Sequence, residues 1–204
     1  MTLPNWKDED FFIEYLEDAK STQVSQEVLE RRRKVYDISN YFLKDILLTY
    51  ERANRQGYGL GALFVTLAAV DYLAGFYCGK ETKRQDYINF MMDFYPEKYH
   101  PYLNAIYRQI RSGLLHNLVS VSPWGGDDQI DFNIFGESHL HLEEVNGKIS
   151  FSIPVIIEDT RRAFLAYRYK LLMKPEENRV LVKHFEERLK PLENRGAILK
   201  SQPE

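Results

Sequence analysis

A stretch of twenty residues with a single charged side chain constrains this fold more than any other part of the sequence. It runs from Gly59 to Cys78, GLGALFVTLAAVDYLAGFYC, and its one charge is Asp71. The stretch is long enough to span a bilayer as a helix, but a carboxylate near the middle of a span is costly in lipid. A helix that is apolar all round is expected where it is buried all round. We therefore predict the central helix of a bundle, and no membrane.

The flanking sequence supplies amphipathic helices that need such a partner. Apolar residues recur at three- and four-residue spacing and predict helices over residues 6–19, 25–56, 82–94, 97–118 and 155–173, with a last one from Pro175 to about 190. Thr82 is expected to cap the helix that follows it, and Gly57 and Gly79 to end the helices before them.

After Val119 the pattern changes from helical spacing to alternation of apolar and polar residues. Asn146-Gly147 lies between two alternating runs and is typical of a type I′ hairpin turn. The sequence therefore predicts a small antiparallel hairpin or meander over about 129–153, inserted before the last helices. The fold class is mainly α, a helical bundle in one domain over residues 1–190, with residues 191–204 as a flexible tail.

Composition narrows the classes of function. The chain has 204 residues and a formal net charge of −3, so a nucleic-acid site would have to be a local basic patch. The single cysteine, Cys78, excludes an internal disulfide framework and fits a reducing compartment. The N-terminus lacks the basic and apolar regions of a signal peptide. We expect a cytoplasmic protein.

The candidate catalytic residues lie at the end of the helix predicted over 97–118. Arg111 and His116 are five positions apart, with Ser112 and Asn117 as polar neighbours and Arg108 one turn before Ser112. On a regular helix Arg108, Ser112 and His116 lie along one line, with Arg111 beside it.

Asp71 belongs to the same hypothesis. It falls on the buried side of the apolar helix, where a carboxylate must be paired or neutral. Arg111 and His116 are the partners we expect. The competing interpretation is purely structural: a His favoured by the dipole at a helix end, and an Arg paired with a neighbouring helix.

Other polar clusters have simpler interpretations. About one Arg–His pair at such a spacing is expected by chance in a chain like this, and a second one, Arg179 and His184, lies on a Lys/Glu-rich helix that is typical of a solvated surface. The basic run 31–34 has acids at four-residue spacing and predicts a solvated helix face. His139, His141 and Glu143 alternate on a predicted strand, a spacing that can ligate zinc, but no further ligand cluster is evident. We expect neither a metal nor a cofactor.

The segment IRSGLLHNL, behind VTLAAVDYLAG and YPEKYHPYLNAIYRQ, resembles the HEPN superfamily. The layout of residues 25–175 is similar to that helical bundle, whose members often carry Arg-x4–6-His late in a core helix. Arg111 and His116 match this motif, whereas Ser112 departs from the Asn, Asp or His that usually follows the Arg. The resemblance implies a homodimer, in many members a metal-independent ribonuclease of toxin or defence type with a nucleotidyltransferase-like antitoxin as partner.

The residues themselves are suited to that reaction. RNA carries its own nucleophile in the 2′-OH, His116 can move a proton near neutral pH, and Arg111 can bind the phosphate as negative charge builds. Ser112 or Asn117 would add a hydrogen bond. The alternative is a non-catalytic HEPN-like module that binds a nucleotide, RNA or a protein partner.

Overall fold

The computed structural model describes residues 26–41, 52, 57, 59–113, 130–134, 138–173 and 175–194. This part of the chain is mainly helical, as predicted. Its α-helices are α1 (Gln26–Tyr41), α2 (Gly59–Cys78), α3 (Arg84–Phe94), α4 (Leu103–Ala105), α5 (Ile153–Met173) and α6 (Arg179–Asn194). The predicted helix over residues 6–19 lies outside the described residues, as do parts of the one predicted over 25–56.

Helix α2 forms the centre of the bundle, as its composition predicts. It packs against α3, α5 and α6, and Leu63, Leu67 and Val70 are completely buried. The helix is long and apolar enough to cross a membrane, but 56% of its most apolar window is buried within the protein, which is compatible with a soluble protein. It is not buried all round, because Leu60 and Phe64 are exposed.

The end of α2 shows why a glycine follows it. Gly79 has φ +75°, and a Cβ there would lie 3.0 Å from the His184 Cα of α6. The predicted cap of the next helix is wrong: the Thr82 hydroxyl donates to the Asp71 carbonyl oxygen at 2.7 Å. Helix α3 begins at Arg84, and the Asp86 carboxylate accepts the Lys83 N–H at 3.1 Å.

Residues 97–111 form a composite helix rather than the predicted regular one. It begins as a 3₁₀-helix (Glu97–Tyr102), passes through α4, and becomes a π-helix over Ile106–Arg111. Pro101 lies inside the 3₁₀ segment, where it has no N–H to donate to a preceding carbonyl. Single π-helical turns are rare and frequently occur at functional sites. Residues 114–118 lie outside the described residues.

The small sheet precedes the last two helices, as predicted, but it is mixed rather than antiparallel. Its strands are β1 (Phe132–Asn133), β2 (Glu144–Val145) and β3 (Lys148–Ser150), in the order β1-β3-β2. Strands β2 and β3 are antiparallel, and Asn146 and Gly147 between them both have positive φ, as a type I′ turn requires. Strand β1 pairs in parallel with the other edge of β3. Alternation of apolar and polar residues could not show which edge of the sheet β1 would join.

The strand predicted across residues 139–143 is absent. Ser138–Leu140 form a 3₁₀ turn, and Leu142 has φ +66°. His139 is exposed, whereas His141 is only 3% exposed, so the two imidazoles do not share a solvent face. Within the described ranges, no three His, Cys, Asp or Glu residues are grouped as a metal site would require.

The C-terminal boundary also differs from the prediction. Residues 175–178 form a turn, and α6 continues through Pro191 to Asn194, four residues into the predicted tail. Residues 195–204 lie outside the described part.

Candidate functional site

The centre of the candidate site is an ion pair between α2 and the π-helix. Arg111 donates from Nε and Nη2 to Asp71 Oδ2, at 2.8 and 2.6 Å. The two side chains are 20% and 19% exposed, so neither is sealed in the core. The sequence predicted that the carboxylate on the apolar helix needs a cationic partner, and Arg111 is that partner.

Asp71 is satisfied on one oxygen only. Its Oδ1 is buried and has no hydrogen-bond partner among the described residues. Burial raises the pKa of Asp71 above its usual value, and the hydrogen bonds and charge of Arg111 oppose that shift. A buried carboxylate oxygen without a donor is costly, so this atom is a place where another hydrogen-bond donor would be stabilised.

Two tyrosines that the sequence analysis did not select complete the surroundings of Arg111. The guanidinium lies 5.0 Å from the centre of the Tyr107 ring, at the distance of a cation–π contact. Tyr107 in turn meets Tyr87 edge to face, with centroids 5.2 Å apart. Tyr87 is completely buried, and its hydroxyl has no partner within the described ranges. The four-residue spacing of Tyr107 and Arg111 is the signal that could have identified this contact.

The polar neighbours of Arg111 have different environments. Ser112 is half-buried, and its hydroxyl donates to the Tyr107 carbonyl oxygen at 3.0 Å, five residues back along the widened helix. Arg108 is exposed. Ser112 therefore supports the π-helical turn, while Arg108 adds a cation at the surface near it.

Gln109 connects the π-helix to the start of the sheet region, a contact that no sequence pattern indicated. In one orientation of its amide, the nitrogen donates to the Ile130 carbonyl oxygen at 2.5 Å and the oxygen accepts the Ile130 N–H at 3.0 Å. Gln109 is 8% exposed. Gln109 therefore bonds the π-helix to the backbone of Ile130.

The other half of the predicted pair is not described. His116 and Asn117 lie outside the described residues, so their distances to Arg111 remain a sequence-based prediction.

The second Arg–His pair is not a shared site. Arg179 is exposed and donates to Glu176 at 2.7 Å, as expected of a solvated surface. His184 does not fit that expectation, because it is half-buried and its Nδ1 lies 2.8 Å from the Tyr77 carbonyl oxygen. It holds α6 against the end of α2.

The basic run of α1 fits the predicted solvated face at Lys34 but not at Arg31, whose side chain is only 17% exposed. Lys34 pairs with Glu30 on the same helix at 3.0 Å. Arg31 reaches across to Glu186 of α6 at 2.7 Å and so connects two helices. These contacts favour a structural role for the run over phosphate binding.

Comparison with known proteins adds no assignment: no protein-family model, no curated protein and no solved structure matches this chain.

Proposed function

We propose that this protein is a HEPN-like helical protein that binds RNA and cleaves it as a metal-independent endoribonuclease, with Arg111 and His116 as its catalytic residues. The observation that supports the proposal is the state of Arg111. Its guanidinium is oriented by Asp71 through Nε and Nη2, is partly exposed, and lies on a π-helical turn five residues before His116. Orientation by a second residue is what a preorganised phosphate ligand requires.

The chemistry assigns a separate role to each group. His116 takes the proton of the 2′-OH or returns one to the leaving oxygen, a step that typically contributes about 10²–10⁴-fold. Arg111 stabilises the charge on the phosphate through the guanidinium edge that Asp71 does not use. Ser112 or Asn117 donates a further hydrogen bond, and the exposed Arg108 attracts the RNA backbone. No metal or cofactor takes part.

The wider expectations belong to this proposal as well. We propose a cytoplasmic homodimer whose two motifs share one cleft, in a toxin or defence setting with a nucleotidyltransferase-type antitoxin as the partner protein.

The same ion pair favours a second candidate, a non-catalytic module that binds a nucleotide, RNA or a protein partner. Asp71 offsets the charge of Arg111 within 3 Å, and a charge that is already compensated stabilises a developing phosphate charge less than a free one. In this alternative Arg111 stabilises the bundle, and binding does not require His116.

Labelled RNA incubated with the purified protein in EDTA distinguishes the two candidates. We expect the wild type to cleave RNA, and His116→Ala and Arg111→Ala to lose cleavage by at least about 10²-fold, the loss typical of a removed acid–base or electrostatic group. Matched controls are the exposed Arg179→Ala and His139→Ala, which should cleave as the wild type does. Melting curves establish that each variant is folded.

Intact RNA with folded wild-type protein would exclude the enzyme. Salt-dependent RNA binding that survives His116→Ala would then support the module.

A further inference from the structure

A buried chain of hydrogen bonds joins the sheet region (strands β1 to β3 and the turn that carries His141) to the helical bundle. His141, in the turn before β2, has its Nε2 2.8 Å from the hydroxyl of Tyr99 on the composite helix. That hydroxyl donates to Asp159 Oδ2 of α5 at 2.8 Å. On its other side, His141 Nδ1 accepts the backbone N–H of Ser152 at 2.8 Å. His141, Tyr99 and Asp159 are each at most 5% exposed, so the chain is shielded from water.

The position of every proton in this chain follows from one contact. The Ser152 backbone N–H can only donate, so Nδ1 must be the unprotonated ring nitrogen. The proton of neutral His141 is therefore on Nε2, where it is donated to the Tyr99 oxygen. Tyr99 then has its own proton for the Asp159 carboxylate. The chain is complete only while His141 is neutral.

Protonation would act at a specific bond. A second proton on His141 has to sit on Nδ1, where it would face the Ser152 N–H, and two donors cannot bond to each other. Ser152 connects β3 to the first residue of α5, Ile153. The bond that fails on protonation is therefore one that holds the sheet region at its junction with the bundle.

We propose that the sheet, strands β1 to β3, is docked on the bundle by neutral His141 and that acidification undocks it while the helices stay folded. The region is an acid-sensitive latch, independent of the proposed ribonuclease activity. Burial, reinforced by the charge of Lys98, lowers the pKa of His141 to about 3. The docked state thus disfavours a proton that an exposed His binds near pH 6.5.

The charged groups around His141 do not reverse this effect. The composite helix contributes Lys98, whose ammonium opposes a second positive charge. Asp159 of α5 favours the imidazolium, but it acts through Tyr99 and is itself close to Glu158 and Arg162. On the same turn, His139 and Glu143 are exposed. Next to β3, the imidazole contacts Phe151 and Ser152, and neither residue carries a charge.

Amide hydrogen exchange of the full-length protein, measured between pH 7 and pH 4, tests the latch. Protection factors corrected for the intrinsic rate at each pH should fall for the amides of Ser150 and Phe151, which donate to Glu143 and Asn133. We expect up to about a tenfold fall for each pH unit below about 6, since one proton is taken up on opening. Amides in the middle of α2 should keep their protection.

Two variants at matched positions identify the residue responsible. His141→Asn cannot titrate and should abolish the pH dependence at Ser150 and Phe151. His139→Asn, two residues away and exposed, should retain it. Tyr99→Phe should lower protection already at pH 7 while keeping the slope.

Three results would overturn the proposal: constant protection of Ser150 and Phe151 from pH 7 to 4, an equal fall in α2, or an unchanged slope in His141→Asn. Should His141→Asn fail to fold, the ring proton signals of His141 in the wild type decide. If these signals titrate near pH 6.5 while the Ser150 amide stays protected from exchange, the latch is likewise contradicted.

Discussion

Two polar junctions among the described residues differ in how completely their atoms are paired. At the first, Asp71 and Arg111 are each about one-fifth exposed, and the buried Oδ1 of Asp71 lacks a partner in the described part of the chain. At the second, His141, Tyr99 and Asp159 form an unbroken chain of hydrogen bonds out of contact with water.

The difference separates a structural junction from a candidate site. In the buried network both ring nitrogens of His141 and the Tyr99 hydroxyl are already hydrogen-bonded, so these atoms are not available to a ligand. A junction with an unpaired acceptor and a partly exposed cation is less stabilising, but it can still bind another group. For this reason we propose Arg111 as the functional residue and expect the larger contribution to stability from Tyr99.

The largest effect is expected from Tyr99→Phe. Removing the hydroxyl leaves the Asp159 carboxylate and the His141 Nε2–H buried without their partner, and should lower the free energy of unfolding by about 2–4 kcal/mol. Chemical denaturation with a helical CD signal measures it. Tyr95→Phe is the matched control, because the buried Tyr95 hydroxyl donates to the neutral Thr160 hydroxyl at 2.7 Å, and its loss should cost about 1 kcal/mol. An equal cost in the two variants would break the comparison.

A smaller effect is expected from Arg111→Met. It should lower the free energy of unfolding by about 1–2 kcal/mol at pH 7, since water can partly replace the guanidinium at Asp71. The loss of Arg111 raises the pKa of Asp71 further, because burial already raises it and the opposing charge is gone. The folded state then binds a proton more readily than the unfolded chain, so stability is lost as pH rises and regained as it falls. Unfolding at pH 7 and pH 4.5 should show the deficit shrinking. Arg179→Met, at an exposed pair, should show little change at either pH.

The smallest effect is expected from Asp71→Asn, which should lower the free energy of unfolding by less than about 1 kcal/mol. The amide oxygen can still accept hydrogen bonds from Arg111, and the cost of burying a carboxylate is removed. Thermal melting of Asp71→Asn and Arg111→Met, side by side at pH 7, measures the two losses of stability. A loss larger than that of Arg111→Met would mean that Asp71 stabilises more than this one contact, and the junction would no longer be the weaker one.

Local patterns predicted much of the helical framework. The apolar stretch predicted α2 with both of its ends, and the repeat of apolar residues predicted α3 and α5 to within two residues. Asn146-Gly147 predicted the turn between β2 and β3. The pairing of Asp71 with Arg111 was also predictable, because a carboxylate on a buried helix face requires a cation nearby.

Contacts between distant segments explain where the sequence failed. His141 was expected on a strand with His139 and Glu143, because alternation cannot distinguish a strand from a turn whose imidazole is buried against Tyr99. The parallel pairing of β1 with β3 is equally non-local.

Sequence alone thus determined the main α-helices of the described part of the chain, because apolar spacing acts within each helix. It also determined that one carboxylate among twenty apolar residues must have a cationic partner, because a buried charge is costly. Only the tertiary structure decided that Ile106–Arg111 are π-helical, that Gln109 bonds Ile130, and that His141 is buried in a neutral chain. Each of these depends on backbone groups and side chains that packing brings together from distant parts of the chain.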